Sequence, residues 1–469
     1  MSKIKFPSAF TILFLLTFVM AGLTWLIPAG HYQMRLNPLI GQEVPIAGTY
    51  HTTTPNHQTL TDILMAPVDG FYNHSTGMAN AIDVALFVLI IGGFLGIATK
   101  TGAIDAGIAK ITQLLNGREQ WMIPILMAIF AAGGTVYGMA EETIPFYALL
   151  IPVIIAAGYD TVTSVAIIMI GAGIGCLGST INPFATVIAS NAAGISFADG
   201  QLPRIIILLS GFLICVIYVM HYAAKVKAHP EYSLVAHIRK ENKQHFLGNN
   251  SQKAVVPEFN GRLKLILTLF VLSFAVMMWG VSVGGWWMAE ISAVFIVGSI
   301  AIGLIAGMKE TIFIESFING ARDLLGVAFI IALARGIVVI MDQGNITHTI
   351  LYGTEKLVNG LPPVGFTNAI YWLEMALSFL VPSSSGLAVL SMPVLAPLAD
   401  FIHVSRHLVV TAYQSASGLP NLITPTSGVV MGALAIGRIP YGIWVKFMWP
   451  LLAMLITMVT IVLSIFTLI

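Results

Sequence analysis

The stretch Gly133-Gly-Thr-Val-Tyr-Gly-Met-Ala-Glu-Glu-Thr-Ile-Pro-Phe146 places two adjacent carboxylates inside a long segment that is otherwise apolar. An ionisable side chain at bilayer depth costs about 3 kcal/mol or more unless it faces protein, water or a ligand. Glu141 and Glu142 are therefore the first candidates for a functional site.

The apolar segments on either side of this stretch, residues 122–132 and 144–157, are each shorter than the roughly 20 residues that a helix needs to cross the hydrocarbon. Three glycines between them allow the chain to leave helical geometry, which at membrane depth survives only where the backbone is buried or lines a cavity. We predict a re-entrant hairpin over residues 122–157 with the glutamates at its tip. The alternative is one span kinked at the glycines and followed by a second, with the glutamates near a membrane surface.

Composition sets the class of protein. Hydrophobic residues make up 57% of the 469-residue chain and charged residues 9%, whereas charged residues make up about 25% of a typical soluble domain. A net charge of +1 excludes a general affinity for nucleic acid. Cys176 and Cys215 lie in apolar runs without metal-ligand spacing. The sequence predicts an all-α polytopic membrane protein with no resident cofactor or metal.

The order of apolar runs divides the chain into two membrane halves, residues 1–224 and 265–469. The hydrophilic segment 225–264 between them is rich in Lys and Arg, which predicts a cytoplasmic linker. Residues 366–398 form a second predicted re-entrant hairpin, with serines at its tip. In all, the runs predict about nine transmembrane helices plus two re-entrant hairpins and two broken helices.

The two halves carry the same features in the same order. An amphipathic segment precedes each hairpin, at residues 102–117 and 344–360, and a helix interrupted by Gly, Pro and Asn follows it, at residues 178–183 and 417–428. When the N-terminus is placed inside, most Lys and Arg fall on the cytoplasmic side. The spans before the two hairpins then run in opposite directions. The pattern therefore predicts inverted repeats, which indicate a secondary transporter with its site at the membrane midplane.

Polar side chains cluster at the hairpin tips and helix breaks, where exposed carbonyls and half-helix N-termini can also contact a ligand. A single Ser or Thr in a membrane helix usually bonds its own backbone, but clusters at four related positions favour binding. The predicted substrate-binding residues are Thr135, Gly138, Glu141, Glu142, Ser179, Thr180, Asn182, Arg335, Ser383, Ser384, Ser385, Asn421, Thr424 and Thr426.

The halves differ where the ligand is expected to bind. The first tip has two glutamates where the second has only serines, and Arg335 stands where the first repeat has Gly93. A guanidinium can hold a carboxylate through two hydrogen bonds, so we expect Arg335 to face the carboxylate of a zwitterionic or cationic ligand and Glu141 or Glu142 to face its amine or basic side chain. Two alternatives are an internal ion pair of Arg335 with a glutamate, and a glutamate that carries a coupling proton. Glu374, within an arm of the second hairpin, is a further candidate.

Four motifs together resemble the anaerobic C4-dicarboxylate carrier family of the ion transporter superfamily, and the resemblance covers nearly the whole chain. They are Gly138-Met-Ala-Glu-Glu-Thr143, Gly178-Ser-Thr-Ile-Asn-Pro-Phe184, Leu333-Ala-Arg-Gly-Ile337 and Pro420-Asn-Leu-Ile-Thr-Pro-Thr-Ser427. The resemblance implies a multi-pass secondary carrier of the bacterial inner (plasma) membrane, an elevator mechanism and a homodimer.

One branch of the family is described as basic amino acid antiporters similar to arginine/ornithine exchangers, whereas the carrier that names the family moves dicarboxylates. Two buried carboxylates would repel a dicarboxylate unless they were protonated, so we expect an amino acid antiporter. The alternative is a C4-dicarboxylate or other carboxylate carrier, coupled to H+ or Na+. A membrane enzyme is disfavoured because the chain has no HExxH or GxSxG motif and no cofactor fingerprint.

Overall fold

The computed structural model describes residues 9–38, 42–72, 81–104, 106–107, 110, 118–247, 260–284, 286, 288–358, 360–381 and 383–469. Residues 111–117 of the predicted amphipathic segment, residues 248–259 of the predicted linker and Pro382 of the predicted second tip lie outside these ranges.

The described chain is dominated by helices. In the first half they are α1 (Ala9–Leu23), α2 (Leu60–Asp69), α3 (Ile82–Lys100), α4 (Met122–Tyr137), α5 (Ile144–Ala156), α6 (Thr161–Leu177), α7 (Ile188–Ala193) and α8 (Gln201–Ala228). The linker contains α9 (Arg239–Leu247). The second half has α10 (Gly261–Gly284), α11 (Met288–Ile305), α12 (Glu310–Asp323), α13 (Leu325–Gln343), α14 (Thr347–Val358), α15 (Pro363–Leu380), α16 (Ser384–Asp400), α17 (Arg406–Gly418), α18 (Gly428–Ile436) and α19 (Tyr441–Leu468).

Six helical segments within the described residues are long and apolar enough to cross a membrane: Ile82–Lys100, Glu119–Val136, Gln201–Ala228, Met288–Ile305, Leu325–Gln343 and Tyr441–Leu468. Phe10–Leu23, Thr161–Leu177 and Ser384–Asp400 are shorter apolar helices. These helices agree with an all-α membrane protein. The predicted number of nine spans and the re-entrant course of the hairpins remain predictions.

Close backbone contacts join the two halves. α3 packs against α11 and α12, and α13 packs against α1 and α2. A Cβ atom at Gly92 of α3 would lie 2.5 Å from the carbonyl oxygen of Gly320 in α12, and one at Gly70, just after α2, would lie 2.1 Å from that of Ala332 in α13. Only glycine permits this approach, and small residues are a usual means of packing membrane helices.

The first hairpin leaves helical geometry later than its glycines suggested. Gly133 and Gly134 remain within α4, where Gly134 packs against α6. The helix ends at Gly138, which has the left-handed φ of 77°, and α5 begins after a 3₁₀ turn at Glu141–Thr143. The predicted tip is therefore formed by residues 138–143, and its first arm is longer than the sequence pattern indicated.

The described residues between α1 and α2 contain four short strands. Strand β1 (Gly30–His31) pairs with β4 (His51–Thr52), and β2 (Met34–Asn37) pairs with β3 (Gln42–Pro45), both antiparallel. The Tyr32 hydroxyl donates to Glu355 on α14 at 2.7 Å. These strands are too short to show an alternating pattern in the sequence, and contacts with α14 and α16 hold them.

Candidate substrate-binding cavity

A cavity of about 340 Å³ lies between the two hairpin tips, the two helix breaks and α13. Ten of the predicted substrate-binding residues line it: Gly138, Glu141, Glu142, Asn182, Arg335, Ser383, Ser384, Ser385, Asn421 and Thr426. Residues more than 280 positions apart in sequence thus share one space, and its volume is in the range of small-molecule sites.

The first tip is fixed against the first helix break. A Cβ atom at Gly138 would lie 2.4 Å from the side-chain nitrogen of Asn182, and φ at Gly138 is positive, so glycine is required for two reasons. The Asn182 side-chain oxygen accepts a hydrogen bond from the Ala185 N–H at 3.2 Å. The position of this tip therefore depends on the break in the helix between α6 and α7.

The two glutamates have different surroundings. Glu142 is 4% exposed, and one of its carboxylate oxygens accepts the Ala140 N–H at 3.0 Å. Glu141 is partly buried and receives no side-chain hydrogen bond or ion pair from another residue in the described part of the chain. Glu142 is therefore held by the tip backbone, whereas Glu141 is available to a ligand.

Arg335 extends into the cavity from α13. Within the described ranges no hydrogen bond is formed by its guanidinium, and none of its nitrogens lies within 4.0 Å of a carboxylate oxygen. The alternative of an internal ion pair with Glu141 or Glu142 is thus not adopted in this conformation. A partly buried guanidinium without a partner is suited to an anionic group of a ligand.

The second half contributes two helix N-termini to the cavity. Ser383 caps α16 by accepting the Gly386 N–H at 3.2 Å, and Ser427 caps α18 by accepting the Val430 N–H at 3.4 Å. Ser383 also lies 3.5 Å from Ser385, measured between the hydroxyl oxygens. The amides and partial positive charge at these N-termini favour a carboxylate on this side of the cavity.

Side chains from other helices satisfy carbonyls that the breaks release. The Gln201 side-chain amide donates to the Thr180 carbonyl at 2.8 Å, and the Trp444 indole N–H donates to the Leu422 carbonyl at 2.9 Å. Unpaired carbonyls are costly at membrane depth, so these bonds stabilise the irregular segments.

Four predicted site residues lie outside the cavity lining and belong to this supporting network: Thr135, Ser179, Thr180 and Thr424. The hydroxyl oxygens of Thr135 and Thr180 are 3.1 Å apart, and Ser179 donates to the Thr135 carbonyl at 3.4 Å. The hydroxyl oxygen of Thr424 is 2.7 Å from that of Thr426. These residues hold the tip and break segments in register.

The sequence analysis did not identify Gln414, which lines the cavity from α17. Its amide nitrogen donates to the Cys176 carbonyl at 2.5 Å, and its oxygen accepts the Thr186 hydroxyl at 2.8 Å. Gln414 thereby joins the two broken helices. In the sequence, Gln414 could have been predicted only from its position, as an uncharged amide in an apolar helix one turn before the break at Gly418.

No group of three or more His, Cys, Asp or Glu side chains suited to a metal ion occurs among the residues with described positions. The cavity combines one guanidinium and two carboxyl groups with hydroxyl, amide and helix N-terminal groups, which can bind and orient a small polar molecule.

Comparison with known proteins finds relatives over most of the chain. Residues 6–468 match the C4-dicarboxylate anaerobic carrier family, DcuC. An uncharacterised protein of Haemophilus influenzae is 37% identical, over 96% of this chain and 95% of its own. The Escherichia coli K12 protein named "Putative basic amino acid antiporter YfcC" is 32% identical, over 84% of this chain and 79% of its own.

Two solved structures are similar over nearly the whole chain. The YdaH transporter of Alcanivorax borkumensis shows a TM-score of 0.40 at 15% identity, with 98% of each chain covered. MtrF of Neisseria gonorrhoeae, described as an antimetabolite efflux pump, shows a TM-score of 0.42 at 14% identity, with 98% of this chain and 95% of MtrF covered. Scores below 0.5 do not establish a common fold. On the sequence matches, the chain belongs to the C4-dicarboxylate anaerobic carrier (DcuC) family and is a multi-pass membrane transporter, not an enzyme.

Proposed function

We propose that this transporter is a secondary active antiporter of basic amino acids, of the arginine/ornithine type, in the bacterial inner membrane. The observation that carries the proposal is that Arg335 and Glu141 line the same cavity and neither has an ion-pair partner within the described chain. A ligand with a carboxylate and a cationic side chain would supply both partners.

The binding mode follows from the position of each charge. Arg335 would hold the ligand carboxylate through two hydrogen bonds, supported by the N-termini of α16 and α18. Glu141 would accept hydrogen bonds from the guanidinium or ammonium group. Glu142, already bonded to the Ala140 N–H, would add negative charge without moving.

Mirrored packing supports two inverted repeats, residues 1–224 and 265–469, joined by the 225–264 linker. α3 packs on α11 and α12 as α13 packs on α1 and α2. Similarly, α4 packs on α6 as α15 packs on α17, and α7 contacts α16 as α18 contacts α5. In the proposed elevator motion, α4–α8 and α15–α19 move with the substrate past α1–α3 and α10–α13, within a homodimer. Because Arg335 lies on α13, its contact with the ligand forms in one end state and is broken by the motion.

A C4-dicarboxylate carrier is the second candidate, favoured by the unpaired Arg335 and by the two serine-capped helix N-termini. It requires Glu141 or Glu142 to be protonated when the dianion binds, because four carboxylates in one small cavity repel one another. A proton or Na+ would then accompany the substrate.

Counterflow in proteoliposomes distinguishes the two candidates. Vesicles loaded with unlabelled ornithine receive labelled arginine outside, with lysine, succinate or aspartate as competitors, with and without Na+. The antiporter predicts arginine entry that needs internal ornithine and that succinate does not inhibit. Absence of arginine entry together with succinate uptake would move the assignment to the dicarboxylate carrier.

A further inference from the structure

Glu374 is a buried carboxylic acid outside the cavity lining. It lies in α15, the first arm of the second hairpin, and is 0% exposed. Neither of its carboxylate oxygens has a hydrogen-bond partner, and no ion pair with it occurs among the described residues. This residue takes no part in the proposed binding of substrate.

Of the helices packed against α15, α14 carries Lys356 and α17 begins at Arg406. The Lys356 ammonium lies over the Tyr352 ring at 4.5 Å and Arg406 is paired with Asp400, so among the described residues neither is an ion-pair partner of Glu374.

On α16, Ser391 donates its hydroxyl hydrogen to the Leu387 carbonyl at 2.8 Å, which leaves its oxygen to accept a hydrogen bond from a protonated Glu374. Tyr413 lies on α17, which packs against α15, and its phenol interacts electrostatically with the Glu374 carboxylate. On α15 itself, the buried Tyr371 hydroxyl has no partner.

The charge on α19 is also distant. Thr467 donates to Thr367 at 3.1 Å and Asn368 donates to Ser464 at 2.9 Å, which sets α15 and α19 antiparallel. At this register Glu374 lies beside about residue 459, roughly 20 Å along the helix from Lys446 at about 1.5 Å per residue. The short turn at residues 420–422 contains no charged residue.

Ionisation of the carboxyl group in these surroundings would cost several kcal/mol of free energy, because burial removes the hydration of the charge and no partner replaces it. Binding of a proton removes the charge at that position. A sodium ion would need several oxygen ligands around it, whereas none of the described side chains forms a hydrogen bond to the carboxyl oxygens. The ligand that fits this position is a proton.

Tyr413 provides a link to the cavity, since its hydroxyl donates to the Ser384 carbonyl in the second hairpin tip and Ser384 lines the cavity. A change of charge at Glu374 therefore acts on a residue that holds the tip. The first repeat has no such group: six residues before the end of α4, where Glu374 would correspond, stands Ala131.

We propose that Glu374 is the coupling-proton site of the transporter. Its carboxylate takes up a proton on one side of the membrane and releases the same proton on the other, and the state described here is the protonated one. This inference rests on the proposed transport cycle, since it assigns the ion that drives the cycle.

The first test measures how a pH gradient changes arginine accumulation in ornithine-loaded proteoliposomes, since the proposed antiporter needs an internal exchange substrate. If one proton accompanies arginine and none accompanies ornithine, one pH unit changes the accumulation ratio of the wild type by up to about tenfold. Glu374→Gln is permanently neutral, so it should keep counterflow exchange but show the same ratio with and without the pH gradient. Glu355→Gln, on α14, is the matched control and should respond as the wild type does. A wild-type response in Glu374→Gln, or no gradient response in the wild type, would overturn the proposal.

A second readout does not depend on the substrate. Infrared spectra of the wild type at pH 7 should contain the C=O stretch of a protonated carboxylic acid that is absent in Glu374→Gln and displaced in Glu374→Asp. Spectra without such a difference would refute the protonated state. If wild-type counterflow with arginine fails, the antiporter proposal fails by itself; the gradient test then uses succinate, and the infrared result still decides the state of Glu374.

Discussion

Glu141 and Glu142 are neighbours in sequence, yet their surroundings predict unequal roles in binding. The Glu141 carboxylate has no partner from the described residues, whereas Glu142 accepts the Ala140 N–H at 3.0 Å. We therefore compare Glu141→Gln with Glu142→Gln, which remove one negative charge each with little change in shape.

A hydrogen bond to a charged group contributes about 1.5 to 3 kcal/mol. At about 1.4 kcal/mol per tenfold change, loss of the Glu141 contact should weaken arginine binding by roughly 10- to 100-fold. The amide oxygen of Glu142→Gln can still accept the Ala140 N–H. The charge that this variant removes belongs to a carboxylate that is already hydrogen-bonded to the tip backbone and does not contact the ligand directly. We expect an effect below about 1 kcal/mol, or roughly fivefold.

The assay is the arginine concentration dependence of counterflow, together with equilibrium binding of labelled arginine to purified protein in detergent. Thermal unfolding of both variants provides the control for folding, since a destabilised variant would lose binding for a trivial reason. Equal losses in the two well-folded variants, or a larger loss in Glu142→Gln, would refute the assignment of Glu141 to the ligand.

Three further predictions concern other parts of the chain. Gly138→Ala should lower the free energy of unfolding by about 1 to 3 kcal/mol, and with it the unfolding temperature, because the added methyl group strains a left-handed residue and displaces the Asn182 amide. Gly353→Ala, at a helical position with open space around it, is the control and should be neutral or stabilising. Arg335→Gln should weaken the binding of arginine by at least about tenfold in competition assays but leave the binding of decarboxylated arginine nearly unchanged. An equal loss of affinity for both ligands would contradict contact between Arg335 and the carboxylate. Burial lowers the pKa of His348, on α14, to about 4. Since the pKa of His in the unfolded chain is higher, thermal stability should fall as the pH decreases from about 6.5 towards 4, and an unchanged pH dependence in His348→Gln would contradict this.

Local chemistry made much of the candidate site predictable. Carboxylates, a guanidinium, Gly and Pro are conspicuous in apolar segments, so Glu141, Arg335 and both helix breaks could be identified without coordinates. The pattern also indicated that the two tips belong together, because the same features recur in the second half. An ionisable side chain at membrane depth costs free energy unless it faces protein, water or a ligand, so its presence there indicates a site.

Tertiary contacts determined the remainder. Thr135, Thr180 and Asn182 are all polar residues near a predicted tip or helix break. Only Asn182 lines the cavity, whereas Thr135 and Thr180 hydrogen-bond to each other. Gln414 gave a weak signal, and its bonds to the opposite broken helix depend on how the halves pack. Glu374 was visible as a charge in a hairpin arm, but the absence of a partner around it could be recognised only from the packed helices.

In the proposed binding mode, one ligand occupies the cavity between Arg335 and Glu141. Cryo-electron microscopy of the protein in lipid nanodiscs, with and without saturating arginine, would show this ligand. The expected result is ligand density in the cavity, with its carboxylate at Arg335 and its guanidinium at Glu141. Arginine density at another site, or an Arg335 side chain paired directly with a glutamate in the presence of arginine, would refute this binding mode.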